Sequence, residues 1–200
     1  KPIQFILDKG CWAREWAHMM SHWETYGYSK SNQLVTMMGK NLGGKIYYKY
    51  NPIHNEYLFD SYKFDDISGA KLVEILIALG KPICLQGYPT NIYRFLTKLK
   101  NTINGEAFIK DKIVAIFCSS EGPSEHIKEY FLDVLNSEKI CIWYGLSEQC
   151  IFAAGDINTN FYTPYHTYGY TEIFSGELIG TSFNNSVMPL IRYKTGDKVL

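Results

Sequence analysis

The alternation of apolar and polar segments in the second half of the chain predicts a parallel sheet. Apolar runs of strand length lie at residues 82–85, 112–118 and 140–143. Between them, two segments repeat apolar side chains at helical spacing, at residues 90–99 and 124–135. This strand–helix order is typical of parallel crossover units, so we expect the three strands to be neighbours in one sheet.

The preceding part of the chain predicts further strands and helices. Strands are expected at residues 1–7 and 33–38, a hairpin or two nearby strands at 45–50 and 56–64, and helices at 9–24 and 69–79. Asp8, Ser68 and Thr90 are the expected helix caps, and Asn104-Gly105 is expected to be a turn. The first helix should bury one heavy face, made of Trp12, Trp16, Met19, Met20 and Trp23.

After Glu148 the pattern changes. Residues 162–200 are aromatic, punctuated by glycine and without a helical period, which predicts an antiparallel β region attached to the sheet. The predicted fold is α/β, with a three-layer, parallel-rich sheet flanked by helices. We divide the chain into an α/β core subdomain, 1–150, and a β-rich extension, 151–200. It starts directly in a strand-like run and stops without a closing element, so we expect a piece of a longer protein.

Composition excludes several classes of protein. The 20 basic and 20 acidic side chains balance, so no basic surplus points to a nucleic-acid partner. Five cysteines without a C-x-x-C indicate a reduced, cytoplasmic protein. No apolar run is long enough to span a membrane, and the chain shows no signal peptide.

Polar turns follow the three strands of the predicted core, at residues 87–89, 119–121 and 144–148. Since ligands of open α/β sheets bind outside the carboxyl ends of parallel strands, these turns are candidate binding loops. The last one combines an aromatic ring, a glycine, a hydroxyl and a carboxylate, which suits a nucleotide and its metal. An ordinary polar turn is the alternative. A further polar segment, residues 192–197, ends in Asp197, which could accept hydrogen bonds from a ribose diol.

Five motifs, taken in order, resemble those of the adenylate-forming acyl-CoA ligases. The strongest are IWYGLSEQ, similar to Y-G-x-[ST]-E, GELIGT, similar to G-E-L/I-x-x-T, and MPLIRYKTGD, similar to M-P-L-I-R-Y-R-T-G-D with Lys194 replacing an arginine. LQGYPTNIYRFL resembles the family's G-Y-P-S segment, and FCSSEG its S-[SG]-E segment. The resemblance is greatest to the phenylacetate–CoA ligase branch and its capsular-polysaccharide-biosynthesis (CapK-like) relatives. It covers nearly the whole chain, most strongly from Cys84 onward.

The resemblance implies roles for particular residues. Tyr144, beside Gly145, would stack on adenine, and the backbone of Ser120, Glu121 and Gly122 would edge the same ring. Ser147 would bind a phosphate oxygen, Glu148 would hold Mg²⁺, and Asp197 would bind the ribose hydroxyls. Tyr88 and Tyr26 would lie near the acyl pocket.

The implied reaction is attack of a carboxylate on the α-phosphate of ATP, which gives an acyl-adenylate and pyrophosphate, followed by transfer to a thiol. ATP or AMP, Mg²⁺ and CoA are the implied cofactors, a small carboxylic acid is the substrate, and a homodimer is left open. The family's phosphate loop would precede residue 1, and its catalytic lysine would follow Leu200. We therefore expect the chain alone to be inactive.

Other interpretations stay open. The protein could be an adenylylating transferase acting on a sugar- or polymer-linked acid, or a non-catalytic nucleotide-binding relative. A Rossmann oxidoreductase ranks last, because no G-x-G-x-x-G follows a predicted strand. Cys150, Asp156 and His166 lack the tight spacing of a zinc site, and we favour a solvent-facing His166.

Overall fold

The fold is α/β. The computed structural model describes residues 4–199. It contains an eight-stranded, mainly parallel sheet with helices, and a separate three-stranded antiparallel sheet near the C-terminus. The described chain divides into two compact units, which we call the terminal unit (residues 4–22 and 143–199) and the central unit (residues 23–142).

Five α-helices and eleven strands make up these units. The helices are α1 (Cys11–Glu24), α2 (Gly69–Ala78), α3 (Pro89–Lys100), α4 (Gly105–Lys112) and α5 (Glu125–Val134). The first six strands are β1 (Gln33–Met37), β2 (Tyr48–Asn51), β3 (Glu56–Phe59), β4 (Ile83–Gly87), β5 (Ile113–Cys118) and β6 (Ile140–Gly145). The others are β7 (Phe152–Gly155), β8 (Tyr162–Pro164), β9 (Gly169–Phe174), β10 (Glu177–Ser182) and β11 (Tyr193–Lys198). The strand order of the large sheet is β2-β3-β1-β4-β5-β6-β7-β8.

The predicted parallel core is confirmed. β4 pairs with β5 and β5 pairs with β6, in both cases parallel. β1 pairs in parallel with β3 and β4, while β2 and β3 form the predicted antiparallel hairpin. All five residues of β1 and nearly all of β4 and β5 are buried, which explains why these strands are continuous apolar runs without alternation.

Aromatic rings fill the core of the central unit. The ring of Phe117 on β5 stacks on Trp23, with centroids 4.4 Å apart and planes 9° from parallel. Phe59 packs edge to face on Phe95 of α3, and Phe64 contacts both rings. These rings are buried, so they contribute the large apolar area on which a domain of this size depends.

Some local predictions are confirmed and others are wrong. The Ser68 hydroxyl accepts from the N–H of Lys71 at 3.2 Å and caps α2 as expected. Thr90 does not cap α3, because Pro89 begins the helix and Tyr88 is the N-cap residue. Residues 4–7 form no strand, and the rest of that predicted strand, residues 1–3, lies outside the described residues.

The expected turn at Asn104-Gly105 is instead the start of α4. Asn104 adopts a left-handed conformation, with φ of 61°. A Cβ on Gly105 would lie 2.0 Å from the carbonyl oxygen of Leu99, so only glycine fits there. The close approach of α4 to the end of α3 therefore determines this element.

The heavy face predicted for α1 is partly wrong. Trp23 is buried, but Trp12 is 66% exposed. In the terminal unit the inward positions of α1 carry polar groups: Glu15 accepts from the hydroxyl of Tyr168, and His22 contacts Tyr165. Burial raises the pKa of Glu15. The tryptophan side chains dominate the apolar pattern of α1. Several of the side chains that pack against the rest of the terminal unit are nevertheless polar.

Short antiparallel strands form the C-terminal part of the terminal unit. β7 pairs with β8, and β9, β10 and β11 form the three-stranded sheet, with β10 in the centre. The pairing of β10 with β11 shifts register between Glu177 and Ile179, where β11 contains a bulge with Gly196 at φ of 85°. Within residues 4–199, none of the helices combines the length and apolar character needed to cross a bilayer.

Asp60 provides a test of how buried charge stabilises the central unit. Its side chain is buried and bound by the ammonium of Lys63 at 2.9 Å and by the N–H groups of Leu42 and Tyr62 at 2.8 and 3.1 Å. Burial raises the pKa of Asp60, but these hydrogen bonds outweigh it and hold the pKa below its usual value. The carboxylate therefore stabilises the fold above about pH 4, and this contribution is lost as the pH falls through the lowered pKa.

We expect Asp60→Asn to lower the free energy of unfolding at pH 7 by about 2 kcal/mol, the range for hydrogen bonds to a charged group. The difference from the wild type should shrink as the pH falls from 4 towards 2. Urea unfolding at several pH values measures both effects. Asp65→Asn is the control, because the Asp65 side chain is 81% exposed. A difference that stays constant below pH 4 would contradict the assignment.

Candidate functional site

The predicted site residues are divided between the two units. Those in the central unit are Tyr26, Tyr88, Ser120, Glu121 and Gly122. Those in the terminal unit are Tyr144, Gly145, Ser147, Glu148 and Asp197.

In the central unit, the carboxyl ends of β1, β4 and β5 lie side by side, since Met37 pairs with Gly87 and Gly87 pairs with Cys118. The turn after β5 contacts its neighbours directly. The N–H of Ser119 donates to the carbonyl of Gly87 at 3.1 Å, and its hydroxyl contacts the sulfur of Met38 at 3.1 Å. Within the central unit, the turns at 87–89 and 119–121 therefore lie at one edge, whereas the third predicted turn, 144–148, belongs to the terminal unit.

The ring of Tyr88 lies over Gly39 at this edge. A Cβ on Gly39 would be 2.9 Å from a ring carbon of Tyr88, and Gly39 has φ of 67°. Gly39 thus leaves the space that the half-buried ring occupies. Gly39 directly follows the predicted strand at residues 33–38, and a glycine at the carboxyl end of a parallel strand is the signal that the sequence offers.

Ser120, Glu121 and Gly122 are exposed beyond β5. Ser120 has φ of 69°, a left-handed backbone conformation. Thr90, at the start of α3, donates to the Glu121 carboxylate at 3.1 Å. This hydrogen bond links the start of α3 to the segment after β5.

Tyr26 is half-buried in the turn after α1. The neighbouring Gly27 packs against Val114, near the amino end of β5, whereas Ser119 follows its carboxyl end. The structure therefore does not bring the Tyr26 turn beside the Ser119 turn, and the role of Tyr26 near an acyl pocket stays a prediction.

In the terminal unit, Tyr144 at the end of β6 donates its hydroxyl to the carboxylate of Asp197 on β11. Burial, followed by the nearby Asp197 charge, raises the pKa of Tyr144, so the phenol stays a protonated donor at neutral pH. Asp197 is exposed, and its N–H donates to the Thr195 hydroxyl at 3.0 Å. An aromatic ring and an accessible carboxylate are thereby held together.

Glu148 has a similar partner. Its Oε1 accepts from the hydroxyl of Tyr193 at 3.0 Å, and burial together with Glu148 raises the pKa of that hydroxyl. Sequence reasoning missed Tyr193. The available signal was its place in the MPLIRYKTGD segment, four positions before Asp197, since the bulge between these two residues interrupts the strand alternation.

Gly145 and Ser147 are exposed in the same turn region. A Cβ on Gly145 would make only ordinary contacts, at 3.7 Å or more, with Trp143 and Phe152. Space therefore does not require glycine there, and its contribution to a nucleotide site stays a prediction. Ser147 presents its hydroxyl next to Glu148 along the chain.

Two places in the terminal unit contain side chains that can ligate metals, Glu148 and the set of Cys150, Asp156 and His166. Within the described chain, no three His, Cys, Asp or Glu side chains are grouped so that they could hold a metal ion. Mg²⁺ that is bound by one or two carboxylates plus substrate phosphates needs no such group, so Glu148 suits this cation. His166 is exposed as predicted, whereas Cys150 is buried, and burial raises the pKa of its thiol to about 12.

Comparison with known proteins finds a distant similarity. The chain matches no protein-family model. It is 25% identical over 210 residues to "Protein CapK" of Staphylococcus aureus, an alignment that covers 100% of the chain and 45% of CapK. The chain thus spans less than half the length of this relative. Its similarity to CapK is distant.

Proposed function

We propose that the chain is the nucleotide-binding part of an AMP-forming ligase, which activates a carboxylic acid with ATP and passes the acyl group to a thiol such as CoA. The observation that carries this proposal is the hydrogen bond between Tyr144 and Asp197. A nucleoside presents a flat base next to a ribose diol, and this pair offers a stacking ring next to a carboxylate acceptor. Carboxylates form strong hydrogen bonds to such donors.

Glu148 would hold Mg²⁺ on the ATP phosphates. The metal, when bound, neutralises the charge that develops as the α-phosphate is attacked. The hydrogen bond from Tyr193 fixes one carboxylate oxygen and so orients the other. The exposed hydroxyl of Ser147 would donate to a phosphate oxygen.

In the central unit, the carboxyl edge of the parallel sheet supports the same proposal. The backbone of residues 120–122 and the ring of Tyr88 would contact a ligand bound at this edge. Ligands of parallel α/β sheets bind at such edges. The resemblance to the CapK-like branch suggests an acid used in capsular or exopolysaccharide synthesis as the substrate class. A non-catalytic nucleotide-binding relative is the competing function, and it would have no use for the oriented Glu148.

Nucleotide binding provides the first test. We expect the chain to bind AMP, and Tyr144→Ala to weaken this binding about 10-fold, since stacking of one base on an aromatic ring contributes about 1–3 kcal/mol. Asp197→Asn should weaken the binding of AMP and leave the binding of adenine itself almost unaffected. Isothermal titration calorimetry measures both.

The matched control is Tyr170→Ala, which removes an exposed tyrosine of the terminal unit. Wild-type AMP affinity in Tyr144→Ala would contradict the proposed site. Pyrophosphate exchange by the full-length protein over a panel of carboxylic acids then tests the reaction itself.

A further inference from the structure

The turn after β6 contains a strained residue directly next to Glu148. Gln149 has φ of 54°, a left-handed conformation that residues other than glycine adopt at an energetic cost. Its side chain is only 2% exposed. Such a conformation persists only where the surrounding structure holds it.

Four hydrogen bonds hold Gln149. Its side-chain Oε1 accepts from the thiol of Cys11 and from the amide of Asn184, the latter at 2.8 Å. Its carbonyl accepts from the hydroxyl of Ser182 at 2.7 Å, and its N–H donates to the carbonyl of Leu146 at 3.0 Å. Both the backbone and the side chain of the residue after Glu148 are therefore fixed.

The partner loop is fixed as well. The guanidinium of Arg14 on α1 donates to the carbonyl of Asn184 at 2.7 and 3.1 Å. The N–H of Asn184 donates to the Ser182 hydroxyl at 3.2 Å. Asn184 therefore connects the first turns of α1 with the turn that carries Glu148, and all of these residues belong to the terminal unit.

The groups that touch Gln149 are neutral: a thiol, an amide and a hydroxyl. Burial raises the pKa of Cys11, so this thiol stays a hydrogen-bond donor. Buried and uncharged, the cluster is suited to holding a neighbour in place rather than to binding a charged ligand. What it holds is the backbone from which the Glu148 side chain projects, while Tyr193 holds the carboxylate itself.

We propose that Gln149 and Asn184 are positioning residues for Glu148, which fix the turn so that the carboxylate meets its cation in one geometry. The inference rests on the proposed function for its cation and on the hydrogen bonds above for its geometry. Partners that orient a metal ligand typically change metal affinity or activity by about 10–100-fold when they are removed.

Hydrogen exchange tests whether Gln149 and Asn184 hold the Glu148 turn in place, and it needs no measurement of enzyme activity. In Asn184→Ala, the amides of residues 147–150 should exchange about 10-fold faster, with no change in β4 or β5. Gln149→Gly should accelerate exchange of the same amides. Because glycine adopts the left-handed backbone conformation without strain, this variant should still fold. Asn158→Ala is the control, since Asn158 is exposed and its side-chain amide donates to the Asp156 carboxylate at 3.3 Å. Unchanged exchange at residues 147–150 in both variants would overturn the inference.

The Mg²⁺ dependence of pyrophosphate exchange by the full-length protein tests the consequence. The Mg²⁺ concentration for half-maximal rate should rise about 10-fold in both variants. If Gln149 and Asn184 were important only for folding, the variants would be less stable but this Mg²⁺ concentration would not change. If Glu148→Gln is inactive and neither variant changes this concentration, the positioning inference is wrong and the proposed function stands. If the wild type exchanges pyrophosphate with no acid, the proposed function fails, and hydrogen exchange still decides the inference.

Discussion

Glu148→Gln is expected to reduce adenylation by the full-length protein by about 100-fold or more while the fold is kept. The change preserves the shape of the side chain and its hydrogen bond from Tyr193. It removes the negative charge that a hard cation such as Mg²⁺ requires. Loss of one electrostatic stabiliser of a transition state typically costs about 2.7 kcal/mol or more, which corresponds to this factor.

The measurement is ATP–pyrophosphate exchange at saturating Mg²⁺, with circular dichroism to verify folding. Glu129→Gln is the matched control, because Glu129 is an exposed glutamate on α5 and lies outside the proposed site. If both variants retain wild-type exchange, Glu148 is a surface carboxylate without a part in the reaction. Activity of the 200-residue chain alone would show that the parts we expect outside it are dispensable.

Phe117→Ala should strongly reduce the stability of the central unit. Phe117 lies on the central strand β5, is fully buried and stacks on Trp23. Truncation to alanine removes its buried area and leaves a cavity, for which about 3–5 kcal/mol is typical. We expect a loss of this size in the free energy of unfolding, measured by urea denaturation.

Phe161→Ala is the control for this change, since Phe161 is 76% exposed. Its effect should stay within about 0.5 kcal/mol, as for most surface substitutions. Equal effects of the two changes would mean that the core around β5 is not packed as described.

The parallel core could be predicted because its signal is local. β1, β4, β5 and β6 are short apolar runs that end at turns, and buried parallel strands require that composition. The start of α4 could not be predicted in this way. Asn104-Gly105 suits a turn equally well, and the helix is selected by the close approach of Gly105 to Leu99, a contact between elements.

The candidate site was predictable as a set of residues but not as a set of contacts. Motifs single out Tyr144, Glu148 and Asp197 in the sequence. The bond between Tyr144 and Asp197 joins positions 53 residues apart, and the one between Glu148 and Tyr193 joins positions 45 apart. Which side chains meet depends on how β11 pairs with β10, and no local pattern specifies that pairing.

The bulge in β11 has a consequence for how this part of the molecule can vary. Both tyrosine–carboxylate bonds involve β11, one through Tyr193 and one through Asp197, on either side of Gly196. A deletion or insertion of one residue there would turn the following side chains to the opposite face of the strand. Insertions should therefore be tolerated better in the loop before β11 than within the strand itself. Within the strand, adding or removing one residue would separate Asp197 from Tyr144.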